Sequence, residues 1–138
     1  MANVIEGLAQ RLDAAGVGWY STTEAIPDDV VPISVAGMPG TKGAAIGLYP
    51  YPGPESPDSR NGWEYPRMQV RARHADALAA QALLREVFNV LQGIGPETLP
   101  DGTELQDCHA LESGPLPMGQ DANGRHEYTH NYQLTLNG

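Results

Sequence analysis

The sequence predicts a single α+β domain over residues 1–138, in which two helices pack on a mainly antiparallel sheet. The predicted order of elements is α-β-β-α-β-β. Two segments place apolar residues at helical spacing, and other segments alternate apolar and polar residues with a period of two. The 16 glycines and 12 prolines indicate short elements joined by long turns.

The first helix is predicted over residues 3–15. Asn3 can cap its start, and Gly16 suits the left-handed residue that often follows a helix. Gly7 lies inside the segment and weakens it by about 1 kcal/mol relative to alanine. The apolar positions that define the helix are Val4, Ile5, Leu8, Leu12 and Ala15.

The second helix is predicted over residues 76–92, with Asp76 as its cap and Gly93 as its end. Its apolar positions recur every three or four residues, as expected for a helix with one buried face. They are Ala80, Leu83, Leu84, Val87 and Leu91.

Four strands are predicted, over residues 44–49, 66–74, 104–112 and 126–136. Between them lie two loops rich in glycine and proline, at residues 50–62 and 114–124. Residues 30–35 are also strand-like, but Pro32 interrupts them, which suits an edge strand or an extended arm.

The strand at 66–74 separates its residues into two faces. One face carries Arg67, Gln69, Arg71 and Arg73, and the other carries Met68, Val70, Ala72 and His74. The three arginines are part of only eight basic residues, against 17 acidic ones. They are either a solvated outer face with weak ion pairs or a patch that meets an acidic surface. In so acidic a chain that surface could belong to a second copy, which favours a head-to-tail ring.

The bulk composition limits the function. A formal net charge of −9 repels phosphate backbones, so sequence-specific nucleic-acid binding is not expected. No segment has the length of a membrane span or the pattern of a signal peptide. Cys108 is the only cysteine and cannot form an internal disulfide. We therefore expect a protein made in a reducing cytoplasm.

The pattern His126-Glu127-Tyr128-Thr129-His130 matches the H-E-x-x-H motif of zinc hydrolases. That motif works on a helix, whereas this segment alternates with a period of two and predicts a strand. Two ligands four residues apart on a strand are separated by about 13 Å, too far to share one zinc ion. A zinc-dependent hydrolase using His126 and His130 is therefore a remote alternative, and no metal or cofactor is expected.

With these elements in place, the chain resembles the tail terminator proteins of siphophages, also called minor capsid or tail-completion proteins. The resemblance covers most of the chain, and its best stretch is Met68-Gln69-Val70-Arg71-Ala72-Arg73 with the helix that follows. Three further stretches fit the family: Ala15-Gly16-Val17-Gly18, Leu48-Tyr49-Pro50-Tyr51-Pro52-Gly53, and Gly114-Pro115…Gly119-Gln120-Asp121…Gly124-Arg125…Tyr128…Asn131-Tyr132.

The resemblance implies a structural virion subunit without catalysis or cofactor. Six copies would form a ring on the last ring of the tail tube, stop tube growth and face the head connector, with DNA passing through the lumen. Its partners would be further copies of itself, the tail-tube protein and the connector or stopper protein, and it would assemble in the host cytoplasm. The loops at 52–64 and 113–125 would be contact surfaces. The expected subunit-interface residues are Arg67, Arg71, Arg73, Asp121 and Arg125.

Another head–tail joining subunit or a tail-tube protein is the alternative, because these also combine small size, acidity and an α+β composition. A tube protein would need long strands and a protruding hairpin, whereas this sequence predicts two helices and few long strands. The segment 28–43 has no counterpart in the family pattern and is interpreted as an arm that reaches a neighbour or the tube.

Overall fold

The computed structural model describes residues 3–40, 43–54, 56 and 62–137. In this part of the chain there are two helices and an eight-stranded sheet, so the predicted α+β class is confirmed. The helices are α1 (Val4–Ala14) and α2 (Ala77–Leu91). The strands are β1 (Ile33–Val35), β2 (Ala45–Tyr51), β3 (Trp63–Glu64), β4 (Arg67–His74), β5 (Glu97–Thr98), β6 (Glu104–Ala110), β7 (Leu116–Gln120) and β8 (His126–Asn137).

The strands lie in the order β1-β2-β4-β8-β6-β5, and β3 and β7 also pair with β8. Among these named strands, only the pair formed by β1 and β2 is parallel. The twelve-residue strand β8 is the centre of the sheet. Along one side it pairs with β4 and then β3, and along the other with β7 and then β6.

The two faces of the sheet differ because side chains alternate along each strand. Ile46, Val70 and Leu134 are fully buried on one face, where they join one core with both helices. The opposite face is polar. There Arg67 pairs in register with Gln133, and Gln69 with Asn131. The predicted division of β4 into an arginine face and an apolar face is confirmed.

Both helices begin at the predicted caps. The side chain of Asn3 accepts a hydrogen bond from the Ile5 amide, and Asp76 accepts one from Leu78. These bonds satisfy amides that the first turn of a helix would otherwise leave unpaired. In the described part of the chain, neither helix has the length and apolar character of a membrane span.

Gly7 is required by packing, although it weakens α1 locally. A β-carbon at this position would overlap Oδ1 of Asp101 and stand 3.1 Å from the Leu99 side chain. The turn before β6 therefore lies directly against the helix backbone, a contact that helix propensity alone does not reveal.

The strand β2 is longer than predicted. The sequence places Pro50 in a loop, but β2 continues to Tyr51 and Pro50 pairs in register with Met68. The proline is tolerated because β1 ends at Val35, opposite Leu48, which leaves this end of β2 at the sheet edge. Pro32 directly precedes β1, which is the predicted edge strand.

Three strands were not predicted. β3 and β5 have only two residues each, and β7 lies within the predicted loop 114–124. Strand β7 contains a proline and a bulge between Pro117 and Gly119, so its sequence lacks a clear alternation. Within the predicted loop 50–62, residues 55 and 57–61 lie outside the described residues.

The segment that joins β1 to β2, here called the connector, comprises residues 36–44, of which 41 and 42 lie outside the described residues. Its described part folds back over the polar face of β2. At Gly47 a β-carbon would meet Cγ of Met38 at 2.9 Å and the carbonyl oxygen of Gly37 at 3.0 Å. Gly47 is therefore the position on which the connector rests.

Replacing Gly47 by alanine should lower the free energy of unfolding by about 1–3 kcal/mol, because the new methyl group overpacks the contacts with the Tyr49 ring and the connector. Urea denaturation measures the change. Gly114→Ala is the matched control, since a β-carbon placed at Gly114 would have no atom within 4 Å. Equal stability of the two variants would contradict this packing around Gly47.

Candidate functional site

The polar face of the sheet, opposite the face on which the two described helices pack, is here called the open face. Its side chains are half-buried or buried, and they come from the strands β2, β4 and β8. The residues are Tyr49, Tyr51, Arg67, Gln69, Arg71, Arg73, Glu127, Thr129, Asn131 and Gln133. The predicted arginines therefore lie on a continuous polar surface.

A chain of hydrogen bonds crosses the middle of the open face. Arg71 Nε donates to Gln69 Oε1 over 2.8 Å, and Gln69 Nε2 donates to Asn131 Oδ1 over 3.3 Å. Asn131 Nδ2 then donates to Glu112 Oε2 over 3.1 Å. The positive and negative ends fix the orientation of both amides, because Arg can only donate and an ionised Glu can only accept.

Glu112 is held in place by a second bond. Its Oε1 accepts from the Asn131 backbone amide over 2.9 Å, so the carboxylate binds both the backbone and the side chain of β8. Hydrogen bonds to a charged group are stronger than neutral ones, about 1.5–3 kcal/mol each. The four-residue network from Arg71 to Glu112 is thus fixed before any partner binds.

The guanidinium groups of Arg67 and Arg71 are held in place by neighbouring side chains and remain available to bind a partner. Arg71 lies over the ring of Tyr49, with 4.8 Å from its Cζ to the ring centroid, and Arg67 Nε donates to Gln133 Oε1 over 2.8 Å. In the described part of the chain, neither arginine uses its two terminal nitrogens for a hydrogen bond. These nitrogens present a paired donor geometry that matches a carboxylate.

Arg73 has a different environment, although it shares the strand and the face. It is buried, and its guanidinium donates to the backbone oxygens of Pro39 and Gly43 in the connector. Burial lowers the pKa of Arg73, and the nearby charge of Arg125 acts in the same direction. The side chain therefore fastens its own connector to the sheet.

Asp121 and Arg125 close the hairpin between β7 and β8. Arg125 Nε donates to Asp121 Oδ2 over 2.7 Å, and the amides of Asn123 and Arg125 both donate to Asp121 Oδ1. These bonds, first among them the one from the Arg125 amide, lower the pKa of Asp121. Arg125 Nη1 also donates to the Gly40 oxygen over 3.1 Å, so the hairpin supports the connector together with Arg73.

The structure thus brings the predicted site residues into two groups. Arg67 and Arg71 point donors outward from the open face, whereas Arg73, Asp121 and Arg125 form a clamp on the connector. Their predicted contact with a neighbouring subunit stays a prediction. The four residues that contact Arg71 or extend its hydrogen-bond network were not predicted as site residues, although the alternation of β8 could have indicated Asn131; they are Tyr49, Gln69, Asn131 and Glu112.

The H-E-x-x-H segment lies in β8, so its prediction as a strand is confirmed. His126 Nε2 is 3.2 Å from the Gln120 amide nitrogen, whereas His130 Nε2 is 3.0 Å from the Glu112 carbonyl oxygen. Among the residues that the structure describes, no three His, Cys, Asp or Glu side chains form a group that could hold a metal ion. His126 and His130 are therefore residues of one strand that contact two different partners.

Cys108 is fully buried in the core on β6. Burial, with a smaller contribution from Asp107, raises the pKa of its thiol to about 12. Since the thiolate is the reactive form, burial and the raised pKa both disfavour reaction of this cysteine at neutral pH.

The chain matches known proteins in both sequence family and fold. A family model described as "Bacteriophage tail terminator protein" matches residues 11–137, which confirms the resemblance seen in the sequence. Among solved structures, a chain from the virion of a native gene transfer agent particle is similar, with a TM-score of 0.57 and 17% identity. The similarity covers 77% of this chain and 78% of that one, and at such identity it shows the fold alone. No curated protein sequence matches.

Removing the clamp should expose the connector to proteolysis. Lys42 is the only lysine, so a lysine-specific protease has one cleavage site in the whole chain, within the connector. We expect Arg73→Ala and Arg125→Ala to raise the cleavage rate about tenfold, because the lost charged hydrogen bonds lower the cost of local opening. Arg85→Ala, an exposed position on α2, is the control. Wild-type cleavage rates in both variants would refute the clamp.

Proposed function

Because the chain belongs to the bacteriophage tail terminator family, we propose that it forms a ring that caps the tail tube, stops its growth and joins it to the head connector. The chain is a structural protein of the phage virion. The single observation that carries the proposal is the family match, which extends over residues 11–137. The partners are further copies of the same chain, the tail-tube protein and a connector protein, and the ring is a hexamer.

The open face supports a role in subunit contact. A surface that must bind the same partner many times loses less entropy if its side chains are already ordered. The network from Arg71 to Glu112 provides this order without filling the arginine donors. Arg67 and Arg71 are proposed as the residues that meet acidic groups of the neighbouring subunit.

The other three predicted interface residues are proposed to act indirectly. Arg73, Asp121 and Arg125 hold the connector and the β7–β8 hairpin in place beside the open face. The surface presented to a neighbour therefore includes the connector, which contributes the part of segment 28–43 closest to β2. This arrangement gives segment 28–43 a structural task inside its own subunit.

Charge reversal of Arg71 should weaken ring assembly. Arg71→Glu places a carboxylate next to Gln69 and the network of Glu112, and it turns attraction toward an acidic neighbour into repulsion. We expect the subunit concentration needed for assembly to rise at least about tenfold, which corresponds to about 1.4 kcal/mol per contact. Native mass spectrometry of a dilution series measures the oligomer fraction. Arg71 is preferred to Arg73, whose reversal would also release the connector.

Arg85→Glu is the matched control, because it makes the same charge change on the exposed side of α2. Addition of each protein to growing tail tubes, with tube length read by electron microscopy, tests the capping function itself. Wild-type protein should arrest tube growth. Tubes that grow to the same lengths with and without the wild-type protein would refute the proposed function, and an Arg71→Glu ring as stable as the control would refute only the interface residue.

A further inference from the structure

A shallow groove on the open face lies between the two arginines that present donors. It has a volume of about 430 Å³ and is lined by Tyr49, Pro50, Tyr51, Gln69 and Asn131. We infer that this groove binds residues 24–29 of the next copy, here called the acidic segment, in a head-to-tail contact. This inference rests on the proposed ring and identifies the part of the neighbour that the open face recognises.

The groove combines aromatic rings with a guanidinium group at each end. Arg71 lies over the Tyr49 ring at one end, and Arg67 is in register with Tyr51 at the other. The two arginines are four residues apart on β4, so their Cα atoms are separated by about 13 Å. Gln69 lies midway between them, and its side chain is held by the hydrogen-bond network. The groove thus offers ring surface between two cationic ends.

A contact at this groove uses side chains rather than added strand pairing. The Ile46 amide donates to the Pro32 carbonyl oxygen, so the even-numbered residues of β2 direct their backbone groups toward β1. Beyond the end of β1, the next such residue is Pro50, which lacks an amide hydrogen. A proline at this position protects the edge against pairing with another chain. Recognition therefore depends on the side chains of the groove.

The acidic segment is the densest cluster of carboxylates in the chain. Its sequence is Glu24-Ala25-Ile26-Pro27-Asp28-Asp29, and no other six consecutive residues contain three acidic side chains. No lysine, arginine or histidine occurs between Arg11 and Lys42, so basic neighbours in the sequence do not offset this charge. All six residues are exposed except Ile26, which is half-buried. The segment therefore presents its negative charge at the surface.

Several other carboxylates are already used within their own subunit. Asp76 caps α2, Asp121 closes the β7–β8 hairpin, and Glu112 belongs to the network of the open face. Glu24 and Asp29 differ from them, since both are exposed and, within the described residues, neither carboxylate has a hydrogen bond or an ion pair. These two carboxylates can accept from a second copy without breaking a contact in their own.

The acidic segment matches the groove in order as well as in charge. Glu24 and Asp29 are five residues apart and span at most about 18 Å, which is enough to meet two arginines about 13 Å apart. Ile26 lies between them and can pack on a tyrosine ring while the carboxylates accept from the guanidinium groups. An acid, an apolar residue and a second acid thus face a guanidinium, an aromatic groove and a second guanidinium.

The position of the acidic segment favours the groove of another copy over its own. The segment belongs to a loop whose ends meet where the Trp19 amide donates to the Val31 carbonyl oxygen. Val31 precedes the start of β1, whereas the groove lies at the end of β2, about six residues or 20 Å further along the strands. No residue of the segment lines the groove. Two different surfaces on one subunit give a heterologous contact, which repeats from copy to copy and closes into a ring when the rotation allows.

Exchanging the charges of the two surfaces tests the inference. The variant Glu24→Lys/Asp29→Lys should raise the subunit concentration needed for assembly at least about tenfold, because it turns attraction into repulsion. Adding Arg67→Glu and Arg71→Glu to the same chain should restore assembly, since each cation again meets a carboxylate. Native mass spectrometry of a dilution series measures the oligomer fraction.

The matched control is Glu86→Lys/Glu104→Lys, which makes the same change in net charge at exposed positions outside both surfaces. It should assemble like the wild-type protein. Circular dichroism of each variant shows whether a loss of assembly reflects a loss of folding.

Cross-linking tests the same contact with all four charged residues in place. Protein carrying Ala25→Cys is mixed with protein carrying Pro52→Cys and treated with a short bismaleimide; both positions are exposed, whereas Cys108 is buried. We expect cross-linked dimers in the mixture and none from either protein alone. The control mixture pairs Pro52→Cys with Ala82→Cys, an exposed position on α2 that should give no dimer.

The outcomes separate this inference from the proposed function. An assembled ring that cross-links Pro52→Cys to Ala82→Cys but not to Ala25→Cys overturns the inference and leaves the proposed function intact. Glu24→Lys/Asp29→Lys protein that assembles like the control has the same meaning. Cross-links from Pro52→Cys to tail-tube protein, without any to Ala25→Cys, overturn it in favour of another occupant. Wild-type protein that neither assembles nor caps tubes overturns both.

Discussion

The alternation of side chains along β8 fixes the arrangement of most of the sheet. Four other strands pair with this one strand, so its register sets the register of β3, β4, β6 and β7. Tyr132 and Leu134 point into the core, and Asn131 and Gln133 point to the open face. A slip of one residue would exchange the two sets, which makes the pairing strongly specified.

The open face is polar but not loosely solvated. Gln133 is buried, and its Nε2 donates to the carbonyl oxygens of Tyr65, Pro66 and Leu134, which closes the end of the face near β3. At the other end the connector lies on Gly47 and is held by Arg73 and Arg125. The arginine network lies between these closed ends and is accessible. Such a rigid polar surface suits repeated, specific contact better than tight hydrophobic association.

The three arginines of β4 have two different roles. Arg73 stabilises its own subunit, whereas Arg67 and Arg71 present hydrogen-bond donors on the open face. The clamp places guanidinium groups against backbone oxygens, where their charge is needed to hold irregular chain that has no regular pairing. Arg71 and Arg67 precede Arg73 on the same face of β4, yet within the described residues their hydrogen bonds go to polar side chains, and Arg71 also lies over a tyrosine ring. The same face thus stabilises the subunit at one end and presents donors at the other.

The regular elements were predictable because their signals are local. Asn3 and Asp76 mark helix starts through bonds that span two residues, and the alternation of β4 and β8 is visible within each segment. The short strand β7 was not predictable, since its pairing depends on β8 and its own sequence is broken by Pro117. The burial of Arg73 depends on oxygens 30 and 34 residues away, which no local pattern encodes. The expected function came from the family resemblance. Which arginine holds the connector, and which ones present donors on the open face, could be seen only in the structure.

Amide hydrogen exchange on the free subunit and on the assembled ring tests most directly whether the open face forms the subunit contact. We expect slower exchange on assembly at Tyr49 and Tyr51 of β2, with the amides of α2 unchanged. Slower exchange confined to the helix layer, with β2 exchanging equally fast in both states, would show that the subunits meet through a different surface.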